Sequence, residues 1–409
     1  WEGRFPGNTY FGRQYAFTRT NSFWPYTRGL WDYMARTSHL MRQGKPVSDL
    51  CVYLGDDAPI RILSHELPDI PLGFDYDAFT TDALLHRMSV KEGRITLPDG
   101  VSYGMMILPT NRQLTERAKQ KISELRSQGA CIFDPQGGQP LATALQKAGI
   151  CPDVTVPQNV YFAHRRTATE DIYFIENHQD AGVEQTFTFN TTAPYAELLN
   201  PVNDEKFALQ TTATGDGRTA INLTLAPRES FFVVFSHEPS TLPVLPTQTV
   251  SEPLTFKTPW TVGFDPKLGG AGEVKFEWLA DWTQQDDLRI RYYSGTAVYR
   301  NTFKVKNIDK AATYRLQLTL LNSAAEIYVN GQRAGLVWCS PWDIDVTRLL
   351  KKGNNKIEVR VANSWANRMI RDASLPEQER VTWASFPIVK ATDPLIPAGL
   401  LDVELKVNK

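Results

Sequence analysis

The stretch RYYSGTAVYRNTFKV, Arg291 to Val305, decides how the second half of this 409-residue chain is read. Its alternation of apolar and polar side chains predicts a strand. Tyr292, Tyr293 and Tyr299 beside Ser294-Gly295-Thr296 give that strand a polar, aromatic-rich edge that a purely structural strand does not need. Downstream, Tyr314, Leu316, Leu318 and Leu320 fall on one face, and Ile327 and Val329 lead into Asn330-Gly331, a strong hairpin signal. Leu336 to Trp338, Ile344 to Val346, the alternating Ile357, Val359 and Val361, and Leu400 to Val407 follow. Together they supply enough strands for an eight-strand sandwich such as a jelly roll.

Upstream, the period changes twice. Asp171 to Ile175, Glu184 to Phe189, Thr219 to Leu225 and Ser230 to Phe235 are strands spaced by turn residues, as in an antiparallel sandwich. Before Pro152, short apolar strands at Asp49 to Leu54, Gly104 to Leu108 and Ala130 to Phe133 alternate with helices at Phe79 to Met88 and Leu114 to Gln128. That order implies a parallel sheet covered on both faces. Ser22 to Gly44 reads as one helix, with Ser22 as its cap, Pro25 in the first turn, and Trp31, Met34, Leu40 and Met41 as an apolar stripe. A lone helix with an aromatic, Gly-rich preamble reads as the tail of something larger. The expected divisions are 1–46, 47–153, 154–245 and 246–409, with Leu242 to Pro253 as the linker into the last.

Charged residues are 22% of the chain and sum to -1, so no basic field exists to gather phosphates, and nucleic acid is not an expected partner. No apolar run approaches the roughly 20 residues a membrane span needs. Cys51, Cys131, Cys151 and Cys339 lack CxxC spacing, which gives no support to a metal or redox motif. Cys51 and Cys131 sit in apolar runs and are expected to be buried. The chain starts at Trp1 with neither an initiator Met nor a signal peptide, which leads us to expect a processed or truncated product.

The turn after the second apolar strand reads Leu108-Pro-Thr-Asn111, without the Cys or Ser nucleophile that α/β domains often carry there. Gln136-Gly137-Gly138 is too short to cradle phosphates. The six histidines show no HExxH spacing, and His164-Arg165-Arg166 reads as a solvated cationic strand edge. Asp56-Asp57, Asp75-Tyr-Asp77 and Asp286-Asp287 have the residue type glycosidic cleavage needs, yet each reads more readily as a cap, turn or surface group. Trp338-Cys-Ser-Pro-Trp342-Asp343 and Asn363-Ser-Trp365-Ala-Asn367-Arg368 place rigid aromatics with amide or guanidinium donors at strand ends. Such a set either covers a pyranose face and bonds its hydroxyls or seals the core or an interdomain seam.

Arg291 to Arg300, Ile327-Tyr-Val-Asn-Gly-Gln-Arg-Ala-Gly335, Val346-Thr-Arg-Leu-Leu350 and Gly353-Asn-Asn-Lys-Ile357 together resemble the sugar-binding jelly-roll domain of family 2 glycoside hydrolases. Phe17-Thr-Arg19 with Ser22-Phe-Trp24, Ser38-His-Leu-Met-Arg-Gln-Gly44, Gly73-Phe-Asp-Tyr-Asp77, Leu84-Leu-His-Arg87, Ser89-Val90 and Leu97-Pro-Asp-Gly100 look like family 106, the α-L-rhamnosidases. Asn363, Trp365, Asn367 and Arg368 match that family's ending of the jelly roll, while Ala16 and Phe23 depart from its usual His and Trp pair. The resemblance implies a multidomain α/β plus all-β fold. Its parts are a barrel-end helix in 1–46, left from a (β/α)8 barrel, a three-layer α/β domain similar to glutamine amidotransferases without their nucleophile, an antiparallel β-sandwich, and a C-terminal galactose-binding-like jelly roll.

The same resemblance implies the C-terminal part of a glycoside hydrolase, an α-L-rhamnosidase removing terminal rhamnosyl residues from glycans, whose acid and base lie in a barrel upstream of this chain. Substrate contacts are then expected from Arg19, Asn21 and Trp24, and from Asn363, Trp365, Asn367 and Arg368. The family is said to use a calcium ion near the sugar, and the sequence has no EF-hand-like loop to hold one. A rhamnose-containing glycan is the expected partner, and polysaccharide degradation in a periplasmic or extracellular setting the expected role. A non-catalytic carbohydrate-binding or scaffold protein is the competing class. A thiol-dependent amidotransferase-like enzyme is a third.

Overall fold

Alternate side chains of Thr296–Val305 are buried, and the strand lies inside a sheet, paired antiparallel on one side with Trp260–Phe264 and on the other with Gly353–Ala362. The computed structural model describes residues 5–8, 20–57, 67–110, 113–245, 254–256, 258–384 and 387–408. The chain divides into two compact units, 1–33 with 246–409, and 34–245.

In the first unit, six strands run in the order Gly272–Phe276, Trp260–Phe264, Thr296–Val305, Gly353–Ala362, Ala324–Val329 and Gln332–Val337. A second sheet orders Leu254–Thr255, Gly399–Asn408, Thr313–Leu321 and Asp343–Asp345. The inward residues of both, among them Val262, Tyr299, Leu316, Ile327, Val359 and Leu405, make one core. The Asn330-Gly331 hairpin forms as its residue types dictate, with φ of 52° and 81°, values that a two-residue primed turn requires.

Two of the three tyrosines read as an edge from Arg291 to Val305 are instead core, and Tyr292 is half-buried. Arg291 closes a short helix, Leu288–Arg291, before the strand begins, and Tyr293 and Tyr299 are fully buried. Each phenol has a partner, as burial demands. The Tyr299 hydroxyl accepts from Trp282 Nε1, and the Tyr293 hydroxyl donates to the Thr296 main-chain oxygen at 3.0 Å while accepting from the Asp265 N–H at 3.2 Å.

In the second unit, Tyr76–Phe79, Leu50–Tyr53, Met105–Ile107 and Cys131–Phe133 form an all-parallel sheet. The period of two sorts a continuous apolar run onto two faces. Leu50, Val52, Met105 and Ile107 pack with Leu141 and Leu145 of the helix Leu141–Lys147, and Cys51, Tyr53 and Met106 with Ala118, Ile122 and Leu125 of Glu116–Ser127. Beyond it, Lys206–Leu209, Tyr195–Leu199, Ser230–Ser236, Glu170–Asn177, Val160–Arg166 and Lys45–Pro46 form one antiparallel sheet. Val183–Phe189, Thr219–Leu225 and Thr212–Ala213 form another, and Tyr173, Ile175, Phe187, Phe189 and Phe235 share the core of this sandwich.

The single helix expected from Ser22 to Gly44 is a short 3-10 turn, Trp24–Tyr26, followed by the α-helix Arg28–Met41. The Thr27 hydroxyl donates to the Trp24 main-chain oxygen at 2.9 Å where the 3-10 turn ends. Ser22 is not a helix cap: its hydroxyl donates to the Asn363 main-chain oxygen.

Candidate functional site

Strand Gly353–Ala362 ends in Asn363, and the chain turns through Trp365 into the short helix Ala366–Asp372. The buried Asn363 amide accepts from the Gly295 N–H at 3.0 Å and donates to the Tyr293 main-chain oxygen at 2.9 Å, which fixes the loop before Thr296–Val305. Trp365 Nε1 donates to the Thr20 main-chain oxygen at 2.9 Å, and the Phe5 ring stacks on the indole with centroids 5.5 Å apart. Strand Pro6–Asn8 adds in parallel to Trp383–Ala384. Tyr26 packs with Ala324 and Ala362, backed by Phe23 and Trp338. These contacts hold residues near the N-terminus against the end of the last sandwich, within one unit.

Of the seven residues expected to meet substrate, Arg19 lies outside the described residues. Asn21 starts the turn, its side-chain oxygen accepting from the Phe23 N–H at 3.0 Å. Trp24 follows with 41% of its surface exposed, and it alone of the described six leaves a large side chain open. Asn367 clamps Ile396 at two points, donating to its carbonyl and accepting from its N–H, both at 2.8 Å. The Arg368 guanidinium pairs with Asp372 at 3.0 Å and packs so close to Gly269 that a Cβ there would lie 2.4 Å from Nη1. Asp372 in turn accepts from the N–H groups of Val381 and Thr382 and from the Thr382 hydroxyl. The amide and guanidinium groups offered by the sequence as sugar-hydroxyl partners are thus engaged inside the fold. Asn21, Asn363 and Trp365 are brought together through Ser22 and Thr20, and Asn367 and Arg368 secure the segment behind them.

Other polar groups behave in two ways. Asp56 accepts from the Tyr53 hydroxyl at 2.8 Å, the Thr115 N–H at 2.7 Å and the Thr81 hydroxyl; burial raises its carboxyl, and these donors outweigh burial and hold it below the usual range. Asp287 caps its helix by accepting from the Arg289 N–H at 2.9 Å. Asp287 fits the reading as a cap, whereas Asp56 is held by donors from three separate segments. Cys51 is fully buried, and burial, with Asp77 nearby, pushes its thiol well above its usual value. The exposed face of the six-stranded sheet carries a cleft of about 620 Å³ lined by Arg300, Tyr328, Lys356, Glu358 and Arg360, where Glu358 accepts from both arginines and the Arg360 guanidinium lies 4.4 Å from the Tyr328 ring. Among the described residues, no three His, Cys, Asp or Glu side chains converge to hold a metal ion.

His164 overturns its reading as a solvated edge. It is buried, with Nδ1 2.8 Å from Asp153 and Nε2 3.0 Å from Asp171. The alternation Val160, Phe162, His164 carried the signal, since period two turns all three to one face. The partners, remote in sequence, carried none.

A sequence model of glycoside hydrolase family 106, described as alpha-L-rhamnosidase, matches residues 1–137 and 136–212, and one described as a glycosyl hydrolase 2 galactose-binding domain-like module matches 280–392. Among solved structures, a rhamnosidase from Novosphingobium sp. PP1Y is similar at 26% identity and a TM-score of 0.83, over 97% of this chain and 43% of that one. A putative beta-glucuronidase of Formosa agariphila is 37% identical over 131 residues, 32% of this chain and 11% of the relative. A second from the same organism is 33% identical over 93 residues, 22% of this chain and 11% of its own length. The chain therefore spans less than half the length of each of these relatives. With its first half matched by the family 106 model and the arrangement of its strands shared with a rhamnosidase, this chain belongs to the alpha-L-rhamnosidase family, glycoside hydrolase family 106.

Proposed function

We propose that the chain forms the C-terminal part of an enzyme that hydrolyses terminal α-L-rhamnosyl residues of glycans in the periplasm or outside the cell, with its catalytic acid and base on polypeptide that precedes it. The observation that carries this reading is the likeness to the Novosphingobium rhamnosidase, which takes in 97% of this chain and leaves more than half of that protein unmatched. In this reading 1–46 is the last turn of a (β/α)8 barrel, 47–153 an amidotransferase-like α/β domain, 154–245 a β-sandwich and 246–409 a galactose-binding-like jelly roll. The chain supplies walls to a sugar pocket. Trp24, held exposed by a segment that Asn363 and Trp365 anchor, offers an aromatic face to a pyranose, and Arg19 and Asn21 flank it in sequence. An inverting reaction would need two carboxyl groups about 6.5–9.5 Å apart, and this reading sets both upstream.

The test is hydrolysis of p-nitrophenyl α-L-rhamnopyranoside by this chain and by the encoded protein carrying its upstream residues. Turnover by the longer form alone is the expected result. Turnover by the short chain overturns the placement of acid and base. Hydrolysis of other glycosides only overturns the substrate, and saccharide binding without hydrolysis in the longer form favours a binding module.

A further inference from the structure

The second unit buries a cluster of titratable groups around His164 that a sugar-hydrolase reading does not use. The imidazole has no exposed surface, and the carboxylates on its two sides, Asp153 and Asp171, are 5% and 14% exposed. Nδ1 stands 2.8 Å from Asp153 Oδ2 and Nε2 3.0 Å from Asp171 Oδ1. An ionised carboxylate only accepts, so each contact requires an N–H on the ring, whereas a neutral imidazole has one N–H and one lone pair. A lone pair aimed at a carboxylate oxygen at this distance is repulsive. The outer oxygens are already engaged: Asp153 accepts from the Tyr173 hydroxyl at 3.0 Å, and Asp171 from the Thr191 hydroxyl at 2.7 Å. Arg166 Nε donates to Asp171 Oδ1 at 2.5 Å, and the Tyr173 ring stacks on the imidazole with centroids 3.9 Å apart, a face that favours a cation.

Asp153 is placed where the chain passes from the parallel sheet into the sandwich. Its N–H donates to the Gly73 carbonyl at 2.8 Å, just before strand Tyr76–Phe79, and its carbonyl accepts from the Asn190 N–H at 2.7 Å. We propose that His164 is an imidazolium at neutral pH, a buried cation that locks the passage at Asp153 to strand Glu170–Asn177 through Asp171 and that releases it when the proton leaves. The charges facing it are Asp153 and Asp171, with Arg166 bonded to Asp171 and Asp75 near Asp153. Losing the proton removes the positive charge between the two carboxylates, while Arg166 stays bonded to Asp171. Solvent reaches the lock from one side, where Asp171 lines a cleft of about 360 Å³ together with Arg166, Asn190, Thr191 and His237.

Burial alone would make His164 a weaker base, but the bonds to Asp153 and Asp171 outweigh it and raise its pKa above 6.5. A group raised in the folded state stabilises fully below its unfolded value, and that contribution is lost as pH climbs through the folded one. Asp171 works in the opposite sense. Burial raises it, the donors His164, Arg166 and Thr191 outweigh burial and bring it to about 2, and its contribution, complete above 3.8, is lost as pH falls towards 2.

The experiment is a two-bond ¹H–¹⁵N correlation on the intact chain labelled at histidine, recorded from pH 6 to about 9. One of the six histidines is expected to keep both ring nitrogens protonated at pH values where the exposed ones are neutral, and its signal to vanish in His164→Gln. Should that variant not fold, Tyr173→Phe, which keeps the stacked ring and removes the hydroxyl bound to Asp153, identifies the signal by its shift. A single neutral tautomer for His164 at pH 7 overturns the proposal. The thermal midpoint of the second unit is expected to fall as this ring deprotonates, and a midpoint that ignores its deprotonation also overturns it.

Discussion

Asn363 shows why a polar residue at a strand end is ambiguous in sequence. The same amide that suits a sugar hydroxyl also suits two main-chain groups, and here Gly295 and Tyr293 hold it. Asn363→Ala leaves the buried Gly295 N–H without its acceptor, so a loss of about 1–3 kcal/mol is expected in urea unfolding followed by tryptophan fluorescence. Asn367→Ala is expected to act similarly by freeing both polar groups of Ile396. Trp24→Ala separates the two roles. Its ring is exposed, so stability should change by no more than about 0.5 kcal/mol. In the longer rhamnosidase proposed above, the same change is expected to raise KM for the rhamnoside about tenfold, equivalent to about 1.4 kcal/mol; an unchanged KM removes Trp24 from the sugar pocket.

Elements formed where the period was strong, and one started late. Thr219–Leu225 has the bounds its alternation predicts, and the helix Glu116–Ser127 starts after Thr115, whose hydroxyl accepts from the Ala118 N–H. The helix expected from Ser22 begins only at Arg28, past the 3-10 turn Trp24–Tyr26. Its beginning depends on a contact that no local pattern reveals: Gly29 lies beneath Trp338, and a Cβ there would fall 2.5 Å from the indole Nε1. Alanine would gain about 1 kcal/mol over glycine in an isolated helix. Gly29→Ala is nevertheless expected to lower the midpoint of thermal unfolding, and Trp338→Leu in the same chain to restore part of the loss. A stabilising Gly29→Ala would mean that the indole moves aside freely.

All ten tryptophans fall in residues 1–33 and 246–409, and none in 34–245, so tryptophan fluorescence reports one compact unit alone. Cys51, fully buried in the parallel sheet, reports the other through its reaction with a thiol reagent. Each unit has its own core, and such units generally unfold separately. Urea titrations read by fluorescence and by Cys51 labelling are therefore expected to have different midpoints, and coincidence would mean a single cooperative unit. The sequence by itself determined the succession of parallel and antiparallel strands, the Asn330-Gly331 turn and the kinship with rhamnosidases. Period, turn chemistry and motif are properties of neighbouring residues, and they survive in a string of letters. Only the tertiary structure decided that Tyr293 and Tyr299 face inward, that Asn363 and Asn367 bind main chain, and that His164 sits between two carboxylates. Those outcomes depend on which distant groups folding brings within about 3 Å, because a buried polar atom takes the partner that packing supplies.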